Sequence, residues 1–410
     1  MHYHPPISPF IQAMQSIAGP LLPISGAAPL AALPYGDELA LKQKAVTEFF
    51  RKTRVEGDWE PLAPSPFSRF YRTTTKRRVI FAHGRFVLAM GDGAREGPGR
   101  AREEALLEPR QHTALYGFLL DRLNEPPFSI VARRCNYLIV RGSYREFSVV
   151  FNMHKLDGPT VRRIKALAGL LAGLGVNVIS SFVVLDPARS KYYIDKRESE
   201  GRFTVKKLFG PDTLRFIAAG GTYVYDALSF SQVNLSMVPL MLARAAKLLD
   251  AASPVCTGMR LVDLYCGYGL FALHLGRHFF ETWGLDGDRA AIRRANESAA
   301  HGRKTAPESK IRFVAGQITG RLLDEFLPPE GDRPEMIVLD PPRGGTRQGV
   351  IPALAARHAV KVLHIFCAID NVPEELAQWK RAGYRTVRVA PLDMFPGTPG
   401  IETMALLEPR

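Results

Sequence analysis

Leu261-Val262-Asp263-Leu264 runs directly into Tyr265-Cys266-Gly267-Tyr268-Gly269-Leu270-Phe271, an apolar stretch that turns on two glycines and passes into helical spacing. A strand, a glycine turn and a helix in that order open a doubly wound α/β sheet, in which ligands sit beyond the carboxyl ends of the strands. Glycine at this turn lets the backbone approach a ligand closely. Downstream, apolar strands are expected at 282–285, 311–314, 336–339 and 362–366, with helices at 240–251 and 289–301. Strands that alternate with helices imply right-handed crossovers and a mostly parallel, Rossmann-like sheet.

Asp286 ends the second strand, in Gly284-Leu285-Asp286, where a carboxylate can accept both ribose hydroxyls of an adenosyl ligand. A dinucleotide site would share these features. However, Leu273-His274 stand where a third glycine would complete the pyrophosphate fingerprint. The pattern therefore favours S-adenosyl-L-methionine, and residues 226–410 read as a methyltransferase domain.

The fourth strand ends in Asp340-Pro341-Pro342-Arg343-Gly344-Gly345. Methyltransferases acting on amino groups of bases carry an aromatic residue after the two prolines; Arg343 in its place points instead to a ring carbon. Carbon 5 of uracil is a poor nucleophile unless a thiolate first adds to carbon 6. Cys367 follows the fifth strand on the same rim, and Glu402 could remove the carbon 5 proton. Taken alone, a cysteine at a strand end is more often inert, and an isolated glutamate more often a surface group.

These segments resemble the tRNA and rRNA uracil-5-methyltransferases. The likeness is carried by Ser229-Phe230-Ser231-Gln232-Val233-Asn234, the glycine turn, Asp340-Pro341-Pro342-Arg343, the Cys367 segment, and Asp393-Met394-Phe395-Pro396 leading to Ile401-Glu402. The resemblance implies Cys367 as nucleophile and Glu402 as base. It further implies that Gln232, Tyr265, Asp286 and Asp340 serve the cofactor or the base, beside Gly267 and Gly269, which the turn itself assigns to the cofactor. Three departures stand out. Phe366-Cys367-Ala368-Ile369-Asp370-Asn371 replaces the usual Ser-Cys-Asn-Pro, Leu270 replaces an Asn, and Gln317 replaces a carboxylate.

Before that domain, residues 1–34 are rich in Pro and Ala and read as a loose extension, and residues 35–225 as an α+β domain. Its expected elements are a helix at 37–51 with Lys42 and Lys44 on the polar side, strands at 79–82, 85–90, 137–140 and 147–151, and a helix at 113–123. Residues 91–102 read as a mobile loop. The stretch 40–50 and the run from Ser65-Pro66 through Arg77-Arg78 resemble the family members without an iron–sulfur cluster or an appended OB-type domain. Cys135, Cys256, Cys266 and Cys367 form no C-x-x-C pair, so no metal site is expected.

The net charge is +14, and most of the excess lies early: 34 Lys and Arg against 22 Asp and Glu through residue 254. Runs such as Arg69-Phe70-Tyr71-Arg72, Lys76-Arg77-Arg78, Arg133-Arg134, Arg162-Arg163 and Lys206-Lys207 suit a phosphate backbone, and by resemblance this half binds structured RNA, tRNA or rRNA. The uncharged run 166–185 is interrupted by glycines and reads as helix, turn and strand rather than a membrane span. Residues 1–15, broken by His2, His4 and three prolines, do not form a signal peptide. The expectation is a cytoplasmic monomer without membrane contact. The competing readings are an RNA-binding or RNA-folding protein with lost methyltransfer, and a protein or small-molecule methyltransferase.

Overall fold

The computed structural model describes residues 8–20, 22–24, 27–90, 105–189, 204–302, 310–329 and 333–410. They divide into two compact units. One comprises residues up to 68, 217–223 and 236–410; the other comprises 69–216 and 224–235.

The first unit begins with helices α1 (Pro9–Ala18) and α2 (Tyr35–Thr53) and the short strand β1 (Asp58–Trp59). The second unit follows, with β2 (Thr74–Ala82), β3 (Arg85–Ala89), α3 (Arg110–Leu123), α4 (Ser129–Arg134), β4 (Cys135–Gly142), β5 (Phe147–Met153), α5 (Gly158–Leu170), β6 (Val178–Leu185) and β7 (Thr204–Phe209). Its sheet runs β3-β2-β4-β5-β6-β7, antiparallel except for the β5–β6 pair. Leu115, Leu119, Ile164 and Leu167 of the helices pack on Leu138, Val140, Val149 and Phe151 of the strands. The uncharged run 166–185 is the end of α5, a turn and β6, as its glycines imply. Among the described residues no helix is long and apolar enough to cross a membrane.

A hairpin of β8 (Thr213–Ala218) and β9 (Gly221–Asp226) precedes α6 (Val238–Leu249). From there the first unit continues as β10 (Arg260–Leu264), α7 (Leu270–Leu275), β11 (Glu281–Asp286), α8 (Arg289–Gly302), β12 (Lys310–Ala315), α9 (Gly320–Phe326), β13 (Glu335–Leu339), α10 (Val350–Ala355), β14 (Lys361–Phe366), α11 (Val372–Arg381), β15 (Tyr384–Leu392) and β16 (Glu402–Pro409). The sheet order is β1-β15-β16-β14-β13-β10-β11-β12, and only β16 is antiparallel to its neighbours. β10, β13 and β14 are buried almost throughout, as parallel strands covered on both faces must be. The expected Rossmann-like α/β sheet is therefore present, with its topological switch between β10 and β13.

Residues 1–34 are not a loose extension where they are described. Phe10 and Met14, one turn apart on α1, are buried with Ile24 and Leu30 in the same core as Val262, Ile337 and Phe366 of the sheet. The boundary expected at residue 35 is likewise corrected, because α2 and β1 belong to the sheet unit, β1 pairing with β15. Lys42 is not on a polar face: its ammonium is fully buried, 2.7 Å from Asp393 Oδ1 and 2.8 Å from Glu38 Oε1, and it donates to the Phe395 carbonyl at 3.2 Å. The Tyr35 hydroxyl donates to Asp393 Oδ2 at 2.9 Å and accepts the Ser65 N–H at 2.7 Å. The expected loop 91–102 lies outside the described residues.

Removing one member of a buried ion cluster leaves charge without compensation and costs about 3–5 kcal/mol. Lys42→Ala is expected to lose stability on that scale in urea unfolding. Lys44→Ala, on the exposed side of the same helix, is expected to shift stability by less than about 0.5 kcal/mol.

Candidate active site

The switch point gathers the site at the carboxyl ends of the central strands of the first unit. After β10 the backbone turns through Tyr265 (φ 59°), Gly267 (φ 54°) and Gly269 (φ 85°), the first a left-handed residue with a side chain. Such conformations cluster where a site must be held in one geometry. A Cβ on Gly269 would lie 2.7 Å from the Phe313 ring, so glycine is required for turn and β12 to approach. A Cβ on Gly267 would meet no atom within 4 Å, so the turn faces open space there.

Four carboxylates near this end of the sheet lie close enough to act on one another's charge. Asp286 Oδ2 accepts the Gly267 N–H at 2.9 Å and its Oδ1 accepts the Asp288 N–H at 2.7 Å, which fixes the carboxylate against the turn. Asp263 is fully buried in β10; its Oδ2 accepts the Ala272 N–H at 2.8 Å, while Oδ1 has no hydrogen-bond partner among the described residues. Asp340 follows β13, and Glu402 opens β16 with 2% exposure. Burial raises the pKa of Asp263, and the charges of Asp340 and Asp286 raise it further. Asp340 is raised by burial and by Asp286, and Glu402 by burial and by Asp340, with Arg343 acting the other way.

Cys367 follows β14 and donates its S–H to Asp340 Oδ1 at 3.4 Å. Cys135, Cys256 and Cys266 are buried, whereas Cys367 is partly exposed. Burial and the charges of Asp340 and Glu402 raise its thiol well above the ordinary range. The thiol is therefore stored protonated, between two carboxyl groups that can take its proton. Arg343 is exposed, its guanidinium 5.9 Å from the Phe395 ring, and its carbonyl accepts the Asn371 side-chain N–H at 2.9 Å. Gly345 (φ 77°) must lack a side chain, since a Cβ would lie 2.0 Å from Glu375 Oε1, the oxygen that accepts the Thr346 N–H.

The structure thus brings together Tyr265, Gly267, Gly269, Asp286, Asp340, Cys367 and Glu402 in one unit. Gln232 belongs to the second unit, 5% exposed, its carbonyl accepting the Thr73 hydroxyl at 3.4 Å. Leu270 starts α7 and is buried, while Gln317 is exposed. Asp263 was not among the expected residues, although its place two residues before Tyr265 in an otherwise apolar strand was a readable signal. Among the described residues, no group of three His, Cys, Asp or Glu could hold a metal ion.

The profile of the family described as tRNA (Uracil-5-)-methyltransferase matches residues 193–410, more than half of the chain. The chain belongs to that family. An uncharacterized RNA methyltransferase of Streptococcus mutans is 30% identical over 202 residues, 49% of this chain and 43% of that protein. One from Geobacter sulfurreducens is 25% identical over 92% of this chain and 74% of its own length. Among solved structures, the tRNA (uracil-54, C5)-methyltransferase of Pyrococcus abyssi, in complex with S-adenosyl-L-homocysteine, shares the fold at a TM-score of 0.59 and 19% identity. That likeness covers 94% of this chain and 86% of that one.

Only a thiolate alkylates at a useful rate, so a raised thiol pKa makes Cys367 slow near pH 7 and faster as the pH rises. Asp340→Asn removes one of the charges that raise the pKa. Iodoacetamide labelling followed by mass spectrometry is expected to show faster modification of Cys367 in this variant at every pH from about 7 to 9.

Proposed function

We propose that this protein is an S-adenosyl-L-methionine-dependent RNA methyltransferase that forms 5-methyluridine in tRNA or rRNA. The observation that carries the reading is the Cys367 thiol at the end of β14, hydrogen-bonded to Asp340 with buried Glu402 beside it. Family membership supports the same chemistry.

The residues fit the cofactor. Open space beside Gly267 admits a ligand against the turn, and the buried Asp263 Oδ1 lacks a donor. A cluster of carboxylates that raise one another's pKa favours a cation carrying hydroxyl and ammonium donors. Tyr265, Gly267, Gly269 and Asp286 would hold it, with Asp340 at the reacting end and Gln232 assigned by resemblance alone. When bound, S-adenosylmethionine supplies an electrophilic methyl group.

Cys367, after giving its proton to Asp340, would add through sulfur to carbon 6 of a uracil and push the electron pair to carbon 5, which would take the methyl group as its bond to the cofactor's sulfur breaks and leaves a neutral thioether. Glu402 then removes the carbon 5 proton; the electron pair restores the 5,6 double bond and expels the Cys367 thiolate. A carboxylate held above its ordinary pKa is a better proton acceptor near neutral pH. The uridine must leave its stack to reach such a pocket. For the RNA, the second unit offers Arg133, Arg162, Arg163, Lys165, Lys206 and Lys207 on exposed positions. Arg77, counted in the basic runs, is instead buried and paired with Glu108, so it is no phosphate ligand.

Incubation with 5-fluorouridine RNA and cofactor is expected to give a denaturation-resistant protein–RNA complex, because fluorine cannot leave as a proton. Cys367→Ala is expected to abolish it; the same complex formed by that variant would reject the assignment. With ordinary uridine RNA, Glu402→Gln is expected to accumulate the covalent adduct and to lower turnover by at least about 100-fold. Mass spectrometry of total tRNA and rRNA with and without the gene would locate the modified uridine.

A further inference from the structure

The segment before α2 has no part in the chemistry above, yet it grips the loop that carries Cys367. Asp370, three residues beyond the thiol, accepts the Phe10 backbone N–H through Oδ1 at 3.0 Å and the Ser8 hydroxyl through Oδ2. Ser8 is the N-cap of α1, its Oγ accepting the Ile11 N–H at 3.2 Å. An anion is favoured at a helix N-terminus, where backbone N–H groups lack partners within the helix. The contact is backed by packing. Phe10 is buried edge-on against Phe49, with ring centroids 5.6 Å apart, and Ile369, adjacent to Asp370, is buried in the same core. On the other side of the loop, Asn371 donates to the Arg343 carbonyl.

We infer that Asp370 is a positioning residue and α1 a latch, together holding the Cys367 loop at its distance from Asp340 and Glu402. The inference rests on the reading of Cys367 as nucleophile. The need for a latch follows from the loop itself. Where the family pattern has Asn-Pro after the cysteine, this chain has Ala368-Ile369, and with the proline goes a fixed φ that would stiffen the backbone. Neither Ala368 nor Ile369 has a polar side-chain atom with which to fix the loop. The anchoring groups are therefore the two residues that follow: Asp370 ties the loop to α1, and Asn371 ties it to the Asp340-Pro341-Pro342-Arg343 segment. Ser8 and Phe10 stand about 360 positions earlier in sequence, so the latch closes only in the folded unit.

The test is kinetic. Displacing a reacting group by about 1 Å costs on the order of 100-fold in rate. Asp370→Ala is expected to lower kcat for RNA methylation by roughly 10- to 100-fold, with KM for RNA and cofactor unchanged within about twofold. Formation of the 5-fluorouridine adduct should slow by the same factor. Asp370→Asn, which keeps an acceptor for the Phe10 N–H, is expected to recover most of the rate. Rates are taken per folded molecule, from circular dichroism melts, so that a merely structural role would reduce the amount of folded protein and leave these values unmoved. If Asp370→Ala does not fold, Ser8→Ala, which removes the hydroxyl that donates to Asp370 and caps α1 but leaves the Phe10 N–H contact in place, carries the comparison with a smaller drop of about threefold. Adduct formation at the wild-type rate in the variant tested, or a rise in KM at constant kcat, overturns the latch. An adduct formed by Cys367→Ala overturns the nucleophile instead, and the two failures are separable.

Discussion

One ammonium group ties the ends of the sheet unit together. Lys42 lies fully buried between Glu38 and Asp393, its three donors matched by two carboxylates and the Phe395 carbonyl. Tyr35 joins Asp393 from the same helix, and the Gly397 N–H meets Glu38. The loop so held, 393–398, leads directly to Glu402. A charge cluster closed to water tolerates little displacement, because each partner lost leaves an unpaired charge. The position of Glu402 thus depends on a helix about 360 residues earlier.

The sheet uses charge oppositely at its two ends. At the amino ends of the strands, buried Arg260 meets Glu281 and Glu335, and Arg357 also meets Glu335, so β10, β11 and β13 are bound by satisfied ion pairs. At the carboxyl ends, Asp263, Asp340 and Glu402 form no ion pair among the described residues, and burial with mutual repulsion raises their pKa values. The first arrangement holds strands together. The second stores a preference for a cationic ligand and leaves Cys367 protonated until the proton has somewhere to go.

Much of the sheet was legible because parallel strands covered on both faces are uninterrupted apolar runs, as in Leu261-Val262 and Ile337-Val338. The glycine turn and the residues at strand ends followed from topology, which sets them on one rim. The N-terminal segment was misread for a physical reason. Its prolines and alanines suggested looseness, whereas Phe10 and Met14, spaced one helical turn apart, are buried in one core with Val262, Ile337 and Phe366, far downstream in sequence. Lys42 shows the same limit: nothing near it in sequence marks it as buried, since Asp393 lies 351 positions away. Arg77 was counted with its basic neighbours because Glu108, which neutralises it, is 31 positions on.

The division of the chain bears on how the protein is made. Residues 69–216, with the short return at 224–235, form a unit that is nearly contiguous and can close as soon as it has left the ribosome. The other unit cannot. β16, residues 402–409, lies inside its sheet between β14 and β15, and α1, α2 and β1 pack onto or pair with strands synthesised hundreds of residues later. Until then those early elements have only one another for cover, Phe10 against Phe49 and Phe50 against Trp59. Contacts of such sequence separation form slowly. The same long-range ties that steady the Cys367 loop leave the opening residues of the chain waiting, exposed, for its closing ones.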